Sequence, residues 1–195
     1  QTCILGHSLG GVAAQTLLVG KQHFADALLL YGATVLRKLR HSLTVPTFTV
    51  AAELDGLMRV SRQALAHYHQ TEGQSVVVAL GLNHWSIADG PPPPRVAKLD
   101  LHSEVSSEEG HARLASYFAH YLAARFLEDR TSLAFVASAV EDAVFFFRPL
   151  LEALELEGNR HLRPSCDFDW PTAASFRHCP WRPYPNMVPR KARTV

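Results

Sequence analysis

The sequence has little of what marks several large protein classes. Only three of its 195 residues are cysteine, too few for a disulfide framework, so cysteine usage leaves the compartment open. The net charge of +1 argues against electrostatic binding of nucleic acid. No stretch contains about 18 uncharged apolar residues, so we expect no transmembrane segment. With 47% hydrophobic and 19% charged residues, most of the chain is predicted to be globular.

Three further signals are missing from the sequence. The histidines and cysteines lack the spacing of zinc ligands, so we predict no metal site, and nothing implies a cofactor. No internal repeat is visible. The chain begins with Gln and enters an apolar run at once, so no targeting signal can be read and localisation stays open.

The first part of the chain alternates short apolar runs with helical stretches. Continuous apolar strands that alternate with helices are typical of a parallel sheet covered on both faces, so we predict an α/β fold. The predicted strands are 2–6, 26–32, 45–56 and 75–84, and the predicted helices between them are 8–20 and 58–70.

The second part of the chain is predicted to be helical after a long loop. The loop, 85–105, contains four consecutive prolines and could be a stiff connection or part of a lid. A helix over 106–130 is indicated by a capping box, and a second helix covers about 132–157, where Pro149 should kink it or end it early.

These patterns predict three regions. Residues 1–130 form the main α/β domain, and 131–157 form an additional helix packed on or beside it. Residues 158–195 form an irregular tail rich in Pro, Trp and Cys, in which Cys166 and Cys179 either form a disulfide or stay reduced.

The stretch "ILGHSLGG" holds a Gly-x-Ser-x-Gly pattern between a predicted strand and a predicted helix. Alone the pattern also fits an ordinary glycine-rich turn, but a phosphate loop is excluded because no Lys follows the second glycine. A strand–turn–helix context is what a nucleophile elbow needs. We predict that Ser8 is a nucleophile, that a Cβ at Gly6 or Gly10 would collide with neighbouring backbone, and that the Leu9 N–H binds an oxyanion.

A nucleophilic serine needs a base and a carboxylate that orients the base. Asp55 and His84 each follow a predicted strand, and the carboxyl ends of parallel strands share one edge of a sheet. Asp55 could instead be an ordinary turn residue, and Glu53 is its nearest rival, although we expect Glu53 to lie within the strand. His84 could instead be a surface histidine. The joint prediction is a Ser8–Asp55–His84 triad.

Other residues near these motifs have a role that the sequence leaves open. His7 adjoins Ser8 and is a poor base because adjacent side chains diverge, so it is a structural or pocket-lining residue. Trp85 either lines the pocket or packs the loop after His84. The aromatic cluster 145–147 packs the core, or touches an apolar acyl group or a membrane surface.

The blocks "ILGHSLGG", "AAELDGLMRV" and "LGLNHWSIADG" resemble the nucleophile, acid and histidine blocks of the α/β-hydrolase superfamily. The resemblance covers about residues 1–130 and implies a serine hydrolase that cleaves a carboxylic ester or thioester through an acyl-enzyme. It fits esterases, lipases, thioesterases and the chlorophyllase-like branch. The implied substrate is a small-molecule or lipid-like ester, and the oligomeric state is left open.

The sequence departs from this family pattern in one respect. In the family, the first strands and the loop that supplies the other oxyanion N–H precede the serine strand, and they are missing here. We therefore expect a partial sequence that corresponds to the C-terminal portion of the fold. The alternative hypothesis is a non-catalytic, hydrolase-derived fragment or binding module that lacks one oxyanion donor.

Overall fold

The computed structural model describes residues 1–69 and 71–156. The predicted tail 158–195, with Cys166 and Cys179, lies outside the described residues. The strands are β1 (Cys3–His7), β2 (Ala27–Tyr31), β3 (Thr47–Ala52) and β4 (Gln74–Ala79). The helices are α1 (Leu9–Gly20), α2 (Val60–Tyr68), α3 (Pro94–Leu99), α4 (Ser107–Phe126) and α5 (Arg130–Leu156).

The four strands form one parallel sheet in the order β1-β2-β3-β4. In the register, Gly6 lies opposite Leu30, and Leu30 lies opposite Thr49. All residues of β2 and β3 are buried, as expected for inner strands of a parallel sheet that is covered on both faces. The prediction of an α/β fold with a parallel sheet is confirmed.

The two faces of the sheet bury alternating residues of the same strands. Phe48 and Val50 face α4, whereas Ala51, which follows Val50, and Val76 of the next strand face α2. On the α2 side of the sheet, Leu28 and Leu30 of β2 pack against α1. Helices thus cover both faces, and the pleat of each strand decides which core a residue joins.

The long helix α5 contributes to both faces. Val136 near its start belongs to the cluster around α4, and Ala143 and Phe147 belong to the cluster around α2. The helix continues through Pro149, so the expectation that it ends early is wrong. Packing of Leu150, which is fully buried one residue later, offsets the hydrogen bond that the proline removes.

Several element boundaries differ from the prediction, among them the following three. The long proline loop contains α3, with Pro94 at its first turn, where a missing N–H costs nothing. The helix predicted over 106–130 ends at Phe126, and Asp129 accepts a hydrogen bond from the Ser132 N–H at the start of α5. Glu53 lies beyond the end of β3, not within it, because the ladder ends at Ala52.

Two general features of the described part bear on function. None of its helices combines the length and apolar character needed to cross a bilayer. β1 is an edge strand of the sheet, paired with β2 on one side, and Leu5 at its centre is 49% exposed.

Candidate active site

The residues predicted from motifs follow the carboxyl ends of the strands. Ser8 directly follows β1, Asp55 comes three residues after β3, and His84 comes five residues after β4; Gly32, which no motif predicted, directly follows β2. Because the sheet is parallel, all four chain segments leave it at the same edge. The observed topology therefore collects these residues at one end of the molecule.

Ser8 occupies a strained turn between β1 and α1. Its φ of 53° and ψ of −124° are unusual for a residue with a side chain, and such a conformation costs roughly 1–3 kcal/mol. The turn is held by a 3.1 Å hydrogen bond from the Ser8 N–H to the Tyr31 carbonyl and a 3.0 Å bond from the Gly11 N–H to the Ser8 carbonyl. The side chain is therefore displayed on a tight turn at the start of a helix.

The close contact between β1 and α1 requires two glycines, and one of them is not the predicted one. A Cβ on Gly6 would lie 2.6 Å from the Cα of Gly11, and a Cβ on Gly11 would lie 2.7 Å from the Cβ of Ala33. A Cβ on Gly10 would meet nothing within 4 Å, so the expected collision there is wrong. The rotation of α1 turns Gly11 toward the sheet and Gly10 toward solvent.

Leu9 is the first residue of α1, and its side chain is 82% exposed. The first N–H groups of a helix have no intrahelical acceptor and lie at the positive end of the helix dipole. The backbone N–H of Leu9, next to Ser8, is therefore available to a negatively charged oxygen.

Asp55 and His84 form a direct, buried pair. His84 Nδ1 lies 2.8 Å from Asp55 Oδ2, and the two side chains are 3% and 0% exposed. The other carboxylate oxygen of Asp55 accepts the N–H groups of Leu57 at 2.9 Å and Met58 at 2.5 Å. These two bonds fix the carboxylate, and the carboxylate in turn orients the imidazole.

The surroundings of His84 determine its proton positions. A carboxylate only accepts hydrogen bonds, so Nδ1 carries the proton and Nε2 keeps its lone pair in the neutral ring. Burial by itself lowers the pKa of His84, but the Asp55 hydrogen bond and the charges of Asp55 and Asp100 outweigh it, so the pKa is raised above 6.5. The ring is thus built to accept a proton at Nε2.

His7 contacts the predicted base, His84. This contact is compatible with a structural role and with a pocket-lining role. Its Nε2 lies 2.9 Å from the His84 carbonyl, an acceptor, so this nitrogen carries a proton. The rings of His7 and His84 lie 4.8 Å apart between centroids. Burial and the neighbouring His84 lower the pKa of His7, which favours a neutral ring.

The loop that carries His84 is braced on several sides. The buried Tyr31 hydroxyl donates to the Asn83 carbonyl, and the Ser86 hydroxyl accepts from the Asn83 N–H at 3.0 Å. Trp85 is half-buried, with its ring 6.3 Å from the His7 ring and its Nε1–H bonded to the Gly90 carbonyl at 3.0 Å. Trp85 therefore both packs the loop and lies at the site.

Gly32 joins these parts into one site. A Cβ on Gly32 would lie 2.8 Å from both Cε1 and Nδ1 of His84 and 3.2 Å from Cδ2 of His7. Gly32 directly follows Tyr31, whose carbonyl holds the Ser8 turn. The end of β2 thus contacts the His84 ring through Gly32 and the Ser8 turn through the Tyr31 carbonyl.

Sequence reasoning missed Tyr31 and Asp100. In the sequence, Tyr31 is one of several apolar positions of a buried strand. In the structure, its hydroxyl contacts the loop that carries His84, and burial raises the pKa of this hydroxyl. Asp100 belongs to no motif and lies in the proline-rich loop. Its carboxylate accepts hydrogen bonds from Gly56 and His84, which no local pattern predicts.

Among residues 1–69 and 71–156, no three His, Cys, Asp or Glu side chains cluster in a way that could hold a metal ion. The edge of the sheet thus carries an imidazole oriented by a carboxylate and, on another strand end, a serine in a strained turn. No protein-family model matches the chain, and no curated protein matches it.

Proposed function

We propose that this protein is a serine hydrolase that cleaves a carboxylic ester or thioester, built on the α/β-hydrolase fold. The observation that carries the proposal is the buried Asp55–His84 pair, with Nδ1 2.8 Å from the carboxylate, at the same sheet edge as the strained Ser8 turn. An oriented base beside a nucleophile on a strand-to-helix turn is the arrangement that acyl transfer requires.

In the proposed reaction, Ser8 Oγ attacks the acyl carbon while His84 Nε2 takes its proton. The bond to the leaving alcohol or thiol breaks, and His84 returns the proton to that group. Water then attacks the acyl-enzyme by the same route, which releases the acid and restores Ser8. Asp55 stays ionised and stabilises the imidazolium, and the Leu9 N–H donates to the developing oxyanion.

The fold assignment is supported by the order of the elements. The parallel strands alternate with α1 and α2, and the serine, acid and histidine follow successive parts of the sheet in that chain order. This order is the one found in that hydrolase class. The parallel sheet by itself is common to many functions, so the site carries the argument rather than the fold.

The surroundings of Ser8 favour a substrate that is apolar in part. Leu9 and Val12 on α1 are 82% and 37% exposed. Phe147 cannot contribute to an acyl pocket, because it is fully buried in the α2 cluster. The proposed ligand is therefore a small-molecule or lipid-like ester that lies against the Leu9 side of the site.

The second candidate function is a non-catalytic, hydrolase-derived binding module. It is favoured by the exposure of β1, whose outer backbone edge faces no other strand among the described residues. Unpaired strand edges pair readily with other chains. The two candidates differ in one property, the reactivity of Ser8.

A fluorophosphonate probe distinguishes the two candidates, because it labels only an activated serine. We expect covalent labelling of the folded protein at Ser8, complete loss of labelling in Ser8→Ala, and unchanged labelling in Ser42→Ala, which alters an exposed serine. Failure of the folded wild-type protein to react would overturn the hydrolase proposal and leave the binding module. Hydrolysis of short- and long-chain nitrophenyl esters and thioesters would then define the acyl preference.

A further inference from the structure

The segment that follows the four prolines is exposed but bound at the site. None of the residues of α3 is buried. Two positions just beyond its end nevertheless contact the loop that carries His84: the Asp100 carboxylate, and the Leu101 carbonyl, which accepts from Asn83 Nδ2 at 2.7 Å. The segment is therefore attached by polar contacts to the part of the molecule that carries the proposed base.

The Asp100 carboxylate is the centre of these contacts. Its Oδ1 accepts the N–H of Gly56 at 2.9 Å and the N–H of His84 at 3.2 Å. Its Oδ2 accepts the N–H of Trp85 at 3.2 Å, and Oδ1 also accepts the N–H of Leu101 at 3.1 Å. One carboxylate thus bridges the turn after Asp55 and the loop that carries His84.

The packing beneath this bridge is tight. A Cβ on Gly56 would lie 2.0 Å from the Leu99 carbonyl oxygen and 2.7 Å from the Cα of Asp100. Backbone therefore lies directly on backbone where α3 ends, and this close approach brings the Asp100 carboxylate within reach of both chain segments.

Both oxygens of the Asp100 carboxylate take part in this bridge. Both oxygens already receive backbone N–H groups, whereas the His84 ring nitrogen is bonded to Asp55. Asp100 is therefore not a substitute for Asp55 as the partner of the ring.

We propose that Asp100 is a positioning residue, whose carboxylate ties the acid turn to the histidine loop and holds the His84 imidazole in place. The inference rests on the proposed hydrolase function. Backbone hydrogen bonds to an anion are stronger than those to a neutral acceptor, and a misplacement of about 1 Å at a reacting group can cost about 100-fold in rate. Asp100 acts through His84 and does not touch substrate.

Two substitutions separate the bridge from its charge. Asp100→Asn removes the negative charge but keeps one carbonyl oxygen that can accept the N–H groups of Gly56 and His84. Asp100→Leu removes the charge and the hydrogen-bond acceptors together. We expect Asp100→Leu to lower kcat by about 100-fold with little change in KM, and Asp100→Asn to lower it by less than about tenfold. Asp89→Asn is the matched control, because Asp89 lies in the same loop with a fully exposed side chain.

The decisive measurement is the titration of the His84 imidazole by NMR, which a purely structural role of Asp100 would not move. The titratable groups that face this ring are Asp55, Asp100 and His7. Removing the Asp100 charge takes away one of the interactions that raise the pKa of His84, so Asp100→Asn should lower that pKa. The acidic limb of kcat/KM should move to lower pH by the same amount, and Asp89→Asn should move neither.

The outcomes are distinguishable from those of the hydrolase proposal. A folded Asp100→Asn protein with the wild-type His84 titration, together with an Asp100→Leu protein of wild-type kcat, would overturn the positioning role. If Asp100→Leu does not fold, the titration of Asp100→Asn decides alone. Lack of Ser8 labelling in the wild-type protein would instead overturn the hydrolase function, and the NMR titration would still test the bridge.

Discussion

Gly32 separates the His84 imidazole from the backbone at the end of β2, and Gly32→Ala tests how closely the site is built. Ala at this position has two costs. Gly32 has a φ of +57°, and this left-handed conformation costs a residue with a Cβ roughly 1–2 kcal/mol. The new Cβ would also lie 2.8 Å from Nδ1 and Cε1 of His84, so the ring must move by about 0.6 Å to reach an ordinary 3.4 Å contact.

The cost of displacing the His84 ring depends on the hydrogen bond that holds the ring in place. Nδ1 is bonded to a buried carboxylate at 2.8 Å, and hydrogen bonds to charged groups contribute about 1.5–3 kcal/mol. If the displacement breaks this bond, Gly32→Ala lowers the free energy of unfolding by about 2.5–5 kcal/mol in total. The rate of labelling by a fluorophosphonate should fall by about 10- to 100-fold, since the base is displaced by a little over half an ångström.

Gly73→Ala is the matched control for Gly32→Ala. Gly73 has a φ of +80°, but a Cβ there would meet nothing within 4 Å. Gly73→Ala should therefore lower the free energy of unfolding only by the cost of the backbone conformation, about 1–2 kcal/mol, and should leave labelling unchanged. Urea unfolding and labelling rates of both variants would check the reasoning. Equal losses of stability in the two variants, with wild-type labelling in Gly32→Ala, would refute the proposed contact between β2 and His84.

Three further predictions concern the same site. Asp55→Asn should lower kcat by about 10⁴-fold, because the amide places a donor against Nδ1 and favours the wrong tautomer, and ester hydrolysis measures this loss. The acidic limb of kcat/KM should lie above pH 6.5, because the neutral His84 is the base and its pKa is raised; the pH–rate profile tests it. Gly6→Ala should destabilise the fold by at least about 1–3 kcal/mol through overpacking, and Gly10→Ala should not, as thermal unfolding would show.

The pKa shift of His84 also sets the pH dependence of stability. A group whose pKa is higher in the folded than in the unfolded protein binds its proton more tightly in the folded state. The stabilisation by His84 is therefore complete below pH 6.5 and is lost as the pH rises through its raised pKa. Activity has the opposite dependence, so this histidine stabilises the protein most where it is least able to act as a base.

The sequence predicts the sheet well because its signals are local. Buried parallel strands are continuous apolar runs, and both β2 and β3 lie inside the predicted ranges. Their ends are less accurate, because a strand ends where its partner does: β4 stops at Ala79, although apolar residues continue to Leu82. The prediction that Glu53 lies within a strand is wrong for the same reason.

The parts of the site that the sequence did not predict depend on contacts between residues far apart in the chain, or on how a helix is rotated about its own axis. Asp100 contacts Gly56, which is 44 residues away, and no periodicity links them. Whether Gly10 or Gly11 faces the sheet depends on the rotation of α1, and a shift of one residue turns a helix by about 100°. Motifs therefore locate the serine, acid and histidine, and only the fold reveals what braces them.

The passage of α5 across both faces has a consequence for how the molecule opens. Val136 and Phe147 belong to different hydrophobic clusters but to one continuous helix, so α4 and α2 cannot lose their packing independently. The cluster around α1 includes no α5 residue among its described members. Cooperative units of this kind open as wholes. We therefore expect the half of the sheet that carries Asp55 and His84 to open as one unit.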